Sequence, residues 1–169
     1  NFGTRLYNSL NTRNILTNNA QNIYVSKSKN LTISTLYLYN ANEAVVKSQT
    51  SDMFKYLSKE LLTLLKLPEY EKYVKNVVIE IHMKPNYTND DMVLASARTI
   101  SFKSALLAQN VELQELYSDK ITTMNLFDSK LETDVSEELS KNDRIEINLI
   151  MDDSVINDGI NKFVNPVKK

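Results

Sequence analysis

The chain has 169 residues, of which 42% are hydrophobic and 24% are charged, so it can bury the core of one globular domain without disulfides. Its formal net charge of -1 gives no overall cationic field, which argues against nucleic acid or an anionic membrane as a partner. Cysteine is absent and there are only two glycines and one histidine, which excludes thiolate chemistry, glycine-rich phosphate loops, G-x-S-x-G nucleophile elbows and multi-histidine metal sites.

The N-terminal stretch, residues 1 to 30, is rich in Asn, Ser and Thr, with seven asparagines among the first 22 residues. This composition predicts a linker with one short helix. Because residue 1 is Asn rather than Met, we expect a mature product or an excised part, with a membrane anchor upstream of residue 1.

Three elements are predicted for the first half of the domain. Apolar and polar residues alternate from Leu31 to Leu38, which predicts the first strand. Between Ser48 and Lys66 the apolar residues recur at intervals of three and four, which predicts an amphipathic helix that ends before Pro68. The β-branched run from Val77 to Ile81 then predicts a central strand.

A second helix is predicted to begin where Thr88 and Asp91 fit a capping box. Arg98 lies near the rim of its apolar face, for which helical spacing selects five residues: Val93, Ala97, Ile100, Ser104 and Leu107. Residues 121 to 127 predict a third strand, and residues 128 to 141 predict a long acidic loop.

The clearest period-two pattern is Ile145, Ile147 and Leu149 alternating with polar residues, which predicts a half-buried fourth strand. The last segment predicts a short amphipathic helix that docks on the body, with a partner-binding helix as the alternative. The element order is therefore β-α-β-α-β-β, typical of an α/β (α+β) domain. We assign residues 31–151 to this domain, residues 1–30 to the linker and residues 152–169 to the C-terminal helix and tail.

Three motifs occur along the chain in a familiar order: Ile79-Glu-Ile-His82, Leu94-Ala-Ser-Ala-Arg98 and Asn142-Asp-Arg144-Ile-Glu-Ile147. They resemble the strand ending in Gly-His-Thr-Asp, the helix motif Leu-Ser-x-x-Arg-Ala and the final strand Asn-Arg-Arg-Val-Glu-Ile of the peptidoglycan-binding domain shared by OmpA, Pal and MotB. The resemblance covers roughly residues 31 to 150. It implies the OmpA-like fold, a two-layer sandwich with a mixed sheet and helices on one face.

In that family the ligand is the peptide stem of peptidoglycan, whose diaminopimelate presents a carboxylate and an ammonium. The resemblance assigns the carboxylate to Arg98, whose guanidinium offers two parallel donors, with Asn142 and Arg144 in support. His82 ends the matching strand and completes this part of the predicted site. The competing interpretations are a surface role for Arg98, a structural role for His82, and a turn cap or sheet-edge cover for the other two.

The family's ammonium-binding aspartate, two residues after the histidine, corresponds to Lys84, so the charge there is reversed. A hydrogen bond to a charged group contributes about 1.5–3 kcal/mol, so its loss weakens binding by about one to two powers of ten. Asp90 or Asp91 is the candidate replacement, and Asp91 occupies the place of the family's usual Asn.

The resemblance implies a non-enzymatic, periplasmic domain that binds peptidoglycan noncovalently and holds an envelope protein against the cell wall, without a cofactor or metal. A MotB-like flagellar stator subunit is the first host that we consider, and a homodimer is compatible with the sequence. The alternative is an OmpA-like scaffold with a decayed ligand site that serves protein–protein interaction, which Lys84 favours. A hydrolase is not supported, because no recognised spacing assembles a nucleophile and an orienting group around His82.

Overall fold

The centre of the protein is a mixed five-stranded sheet, seen in a computed structural model that describes residues 1–127 and 143–152. Its strands are β1 (Ile23–Val25), β2 (Leu31–Ser34), β3 (Val74–His82), β4 (Ile121–Leu126) and β5 (Arg144–Met151). Their spatial order is β1-β2-β5-β3-β4, with β3 and β4 parallel and the other neighbours antiparallel. The strand that comes last in the described sequence therefore lies in the middle of the sheet.

The described ranges also contain six α-helices: α1 (Phe2–Thr12), α2 (Thr35–Leu38), α3 (Ser51–Leu65), α4 (Pro68–Glu71), α5 (Asn89–Ala108) and α6 (Val111–Tyr117). Single 3-10 turns precede α3 and β4, at Ser48–Thr50 and Ser118–Lys120. The succession β2-α3-β3-α5-β4-β5 is the predicted order β-α-β-α-β-β. The predicted mixed α+β architecture is therefore confirmed, with additional short elements around it.

One face of the sheet is apolar and carries the core. Alternate residues of β3 and β5 form its centre, each at most 2% exposed: Val77, Ile79, Ile81, Ile145 and Ile147. They belong to one cluster with the buried faces of α1, α3 and α5. Across this cluster the rings of Phe54 and Phe102 meet edge to face with centroids 4.9 Å apart. Burying each such ring stabilises the fold by roughly 1.5–3 kcal/mol.

Residues 1 to 30 depart from the prediction of a linker. Asn1 accepts a hydrogen bond from the Thr4 N–H at 2.9 Å and caps α1, whose Leu6 and Leu10 are fully buried in the core. A Cβ on Gly3 would clash with the Lys29 carbonyl oxygen, so only glycine allows this approach. These residues are an integral part of the folded body, which their Asn-rich composition obscured.

Two further differences concern local boundaries and phase. The predicted first strand stops at Ser34, whose hydroxyl accepts a hydrogen bond from the Leu36 N–H at 3.2 Å and begins α2. On α5 three of the five residues of the predicted apolar face are exposed, Val93 at 70%, Ile100 at 61% and Ser104, and Ala97 and Leu107 are half-buried. The residues that face the core are Ala95, Thr99, Phe102 and Leu106. The loop predicted at 128–141 and nearly all of the tail predicted at 152–169 lie outside the described residues.

Candidate functional site

A pocket of about 350 Å³ lies where β3 ends and α5 begins. Four segments line it: the 35–42 stretch after β2, the end of β3 with the turn that follows, the first half of α5, and Asp143 just before β5. The walls therefore come from parts of the sequence that only the fold brings together.

The turn between β3 and α5 shapes the floor of this pocket. Pro85 cannot continue a strand ladder, and Asn86 adopts a left-handed conformation with φ 72°, which Asn tolerates better than most residues. Thr88 then caps α5: its Oγ1 accepts from the Asp91 N–H at 3.1 Å, and Asp91 Oδ2 accepts from the Thr88 N–H at 2.8 Å. The predicted capping box is confirmed, and it fixes the direction in which α5 leaves the sheet.

Arg98 lies on α5 and holds the loop that follows α2. Its Nε donates to the Glu43 carbonyl oxygen at 2.8 Å, and its Nη2 donates to the Asn40 carbonyl oxygen at 3.1 Å. The guanidinium lies over the Tyr39 ring, 4.8 Å from its centroid. None of the described residues accepts a hydrogen bond from Nη1, so this nitrogen can donate to a ligand.

The charge state of this pair follows from its surroundings. Burial lowers the pKa of Arg98, and the nearby Tyr39 and Asp143 act in the opposite direction. A guanidinium remains protonated at neutral pH because its ordinary pKa is above about 12. Burial also raises the pKa of Tyr39 to about 12, and its hydroxyl donates to the Arg98 carbonyl oxygen at 2.7 Å. Arg98 therefore presents a fixed positive charge to the pocket.

Lys84 and Asp143 form a second charged group in the pocket. The Lys84 N–H donates to Asp143 Oδ1 at 2.9 Å, and Lys84 Nζ lies 4.0 Å from Asp143 Oδ2. Both the N–H and the hydroxyl of Thr35 donate to the Asp143 carbonyl oxygen at 3.2 Å. Asp143 was not among the predicted site residues, although a signal was available, because it replaces the first arginine of the Asn-Arg-Arg pattern.

Asp91, the predicted replacement acid, lines the same pocket but has a structural role as well. Its carboxylate completes the cap of α5, and the backbone hydrogen bond from Thr88 lowers the pKa of Asp91. Asp91 and Arg98 thus line the same pocket, while one oxygen of Asp91 already accepts the Thr88 N–H.

The Arg144 side chain lies elsewhere, on the opposite face of the sheet. There Glu80 and Glu146 face each other across β3 and β5, and Arg144 Nε donates to Glu146 Oε2 at 2.9 Å. His82 Nε2 lies 3.3 Å from Glu80 Oε1 and 3.4 Å from Glu146 Oε2. We call Glu80, His82, Arg144 and Glu146 the ionic cluster; their side chains are 4% to 12% exposed.

Amide side chains complete the hydrogen bonds of the ionic cluster. Asn148 Nδ2 donates to Glu80 Oε2 at 3.2 Å, and Asn30 Nδ2 donates to Glu146 Oε1 at 3.2 Å. Burial raises the pKa of Glu80, but hydrogen bonds from His82 and Asn148 and the charge of Arg144 outweigh it, so the pKa is lowered. The two carboxylates of the ionic cluster therefore find their donors within the fold, and the Arg144 guanidinium is hydrogen-bonded to Glu146.

The predicted site is thus divided. Four of its residues, His82, Lys84, Asp91 and Arg98, line the pocket, whereas Arg144 does not. The His82 imidazole, however, contacts Glu80 and Glu146 in the ionic cluster. Asn142, the sixth predicted residue, lies outside the described residues. Within the described ranges no three His, Cys, Asp or Glu side chains are arranged to hold a metal ion, and no helix is both long and apolar enough to cross a membrane.

No protein-family model and no curated protein sequence matches this chain, but solved structures match its fold. The cell wall anchor of the T6SS from Pseudomonas aeruginosa has a TM-score of 0.56 and 18% identity, covering 88% of this chain and 98% of that one. A putative MotB-like protein from Desulfovibrio vulgaris has a TM-score of 0.58 and 12% identity, covering 87% of this chain and 90% of that one.

The periplasmic domain of Helicobacter pylori MotB is also similar, with a TM-score of 0.53 and 14% identity over 83% of this chain and 90% of that one. At such identities the likeness establishes the fold. The predicted resemblance to the OmpA-like and MotB domains is confirmed at that level.

Proposed function

We propose that this chain is a periplasmic domain that binds peptidoglycan noncovalently and anchors an envelope protein to the cell wall. The observation that supports it best is the pocket between β3 and α5, where the fixed positive charge of Arg98 stands near an acid, Asp143. The fold adds support, because it is shared with a protein described as a cell wall anchor, with a putative MotB-like protein and with the periplasmic domain of Helicobacter pylori MotB.

The size and charge of the pocket suit the end of one amino acid side chain rather than a large cofactor. A volume of about 350 Å³ is near the lower limit of ligand sites. Arg98 can pair with a carboxylate, and a neighbouring acid can pair with an ammonium, the two groups that diaminopimelate presents in a peptide stem. The proposed role requires no catalysis, and the only histidine of the chain is held between two carboxylates.

The finer part of this proposal concerns the host. We take it to be a membrane-anchored machine, with a MotB-like stator subunit as the first candidate and its anchor upstream of residue 1. A homodimer fits this arrangement. The likeness to MotB periplasmic domains favours this host over an outer-membrane protein.

A second candidate function has its own support. Two of the Arg98 nitrogens hold the 40–43 loop, and Lys84 adds a second cation beside the pocket. These features also suit an OmpA-like scaffold whose ligand site has decayed and which binds another protein of the envelope.

Co-sedimentation with purified sacculi separates the two functions. We expect the wild-type protein to pellet with sacculi and to be released by free diaminopimelate. Arg98→Lys should pellet less, because lysine lacks the planar fork of donors. Arg13→Lys is the matched control, since Arg13 lies over the Tyr56 ring at 4.9 Å but does not line the pocket. Failure of the wild-type protein to pellet would favour the scaffold function.

A further inference from the structure

Lys84 and Asp143 are hydrogen-bonded neighbours at the wall of the pocket. β3 and β5 are antiparallel neighbours with His82 opposite Arg144, so the residues just beyond this pair lie next to each other. The family pattern has an acid where this chain has Lys84 and an arginine where it has Asp143. The two charges are therefore exchanged, and the pair keeps one acid and one base.

We infer that Asp143 is the residue that binds the ammonium of the ligand, taking the place of an acid at the end of β3. This inference rests on the proposed function and names the specificity-determining acid of the same pocket. The ligand class is a side-chain end that carries both an ammonium and a carboxylate. The ammonium pairs with Asp143, and the carboxylate pairs with Arg98.

The position of Asp143 suits this role. Its backbone is fixed by two hydrogen bonds from Thr35, and its Oδ1 is oriented by the Lys84 N–H. Its Oδ2 lies 4.0 Å from Lys84 Nζ, beyond hydrogen-bond distance, so this oxygen can accept from a ligand. The side chain is 32% exposed, which leaves it accessible while reducing competition from water.

Asp91 is less suited to bind the ammonium, although it lines the same pocket. Its Oδ2 accepts the Thr88 N–H, and this bond helps to begin α5. A ligand that drew the carboxylate away would break the capping box and leave the Thr88 N–H without its acceptor. Asp143 can bind without such a loss, because its backbone and Oδ1 contacts remain in place.

The Lys84 side chain lowers the affinity of the pocket for the ammonium of the ligand. Its ammonium lies 4.0 Å from Asp143 Oδ2 and competes with the ligand for it. The side chain is 49% exposed, so it can move away into solvent at modest cost. Lys84 therefore weakens binding of the ammonium without abolishing it.

The test compares two tripeptides by calorimetric titration. One is L-alanyl-γ-D-glutamyl-meso-diaminopimelate, and the other carries 2-aminopimelate instead, so that it lacks only the distal amine. We expect the wild-type protein to bind the first about 10- to 100-fold more tightly than the second. Asp143→Asn keeps an acceptor for the Lys84 N–H and removes the charge. It should bind the two tripeptides equally.

Two matched controls separate Asp143 from the other acids nearby. Asp91→Asn keeps the cap acceptor, and Asp90→Asn changes an exposed acid of the same helix that does not line the pocket. Both should retain the preference for the amine. Loss of the preference in Asp91→Asn together with its retention in Asp143→Asn would overturn the inference. Thermal unfolding of each variant confirms that it is folded.

Lys84→Gln gives a second, independent readout that leaves Asp143 untouched. It should tighten binding of the amine-bearing tripeptide by about two- to fivefold and leave the other tripeptide unchanged. An equal effect on both tripeptides would contradict the inference. If the wild-type protein binds neither the tripeptides nor sacculi, the proposed function itself fails. If the wild-type protein binds and Asp143→Asn keeps the preference for the amine, only the assigned role of Asp143 is refuted.

Discussion

The Glu80 and Glu146 carboxylates lie directly opposite each other on neighbouring strands, and both are buried. Two buried charges of one sign destabilise a fold unless cations and donors surround them. Arg144 and His82 supply these partners from the next register pair on the same face of the sheet. Loss of Arg144 would therefore leave two buried carboxylates without their guanidinium partner.

Glu80 makes the ionic cluster sensitive to acid. Because its pKa is lowered from an ordinary value of 4.5, the unfolded chain takes up the proton at higher pH than the folded chain does. The resulting stability is fully present above pH 4.5 and is lost as the pH falls through the lowered pKa. We expect urea titrations to show the free energy of unfolding falling between about pH 5 and pH 3, and falling less in Glu80→Gln.

The control for this pH series is Glu115→Gln, which changes an exposed carboxylate on α6. It should follow the wild-type curve. A Glu80→Gln curve that is parallel to the wild-type curve over the acid range would show that Glu80 does not carry this dependence.

Some of the candidate site could be predicted from single residues and some could not. His82, Lys84 and Arg98 share the pocket because a short turn joins a strand end to the following helix, a relation visible in the sequence. The carbonyl group of Glu43, 55 residues from Arg98, offers no side-chain signal, so its contact could not be predicted. Asp143 could have been found, since it departs from the family pattern that its neighbours match.

Among the elements, α5 shows why helical spacing alone can select the wrong face. The residues Val93, Ala97 and Ile100 have helical spacing, and so do Ala95 and Phe102. Spacing fits both faces, but only one can meet α3 and the sheet. Phe102 buries the larger side chain and packs against Phe54, which decides the phase.

Substitutions on the two faces of α5 should differ sharply. Phe102→Ala removes a fully buried ring and is expected to lower the free energy of unfolding by about 3–5 kcal/mol. Ile100→Ala changes a side chain that is 61% exposed and should alter it by about 0.5 kcal/mol or less. Urea denaturation of the two variants measures both values. Similar losses in the two variants would mean that the phase of α5 is misplaced.

The strands were easier to predict, because period-two alternation distinguishes the two faces of a sheet directly. β3 and β5 were both expected at their observed places, and both extend beyond the predicted run. The expectation of a half-buried strand was wrong in one respect. On β5 the polar face is buried as well, with Glu146 only 3% exposed, since the cross-strand charges satisfy one another.

For the whole molecule, the N-terminal residues determine how much of the described chain folds as one unit. Phe2, Leu6 and Leu10 have the spacing of a buried helical stripe, yet the asparagines between them favoured a linker. The composition of a segment indicates how polar it is on average, whereas its burial depends on which residues face the core of the protein. Here the apolar stripe of α1 packs into the core, and the asparagines do not prevent this packing.

Leu6→Ala tests whether α1 belongs to the same cooperative unit as the sheet. The side chain is fully buried, so its truncation is expected to lower the global free energy of unfolding by about 2–5 kcal/mol. Far-UV circular dichroism and the fluorescence of the nine tyrosines should report one coincident transition, shifted to lower urea. Asn8→Ala, on the exposed face of α1, should leave this midpoint unchanged. If α1 were an independent linker helix, Leu6→Ala would also leave the midpoint in place.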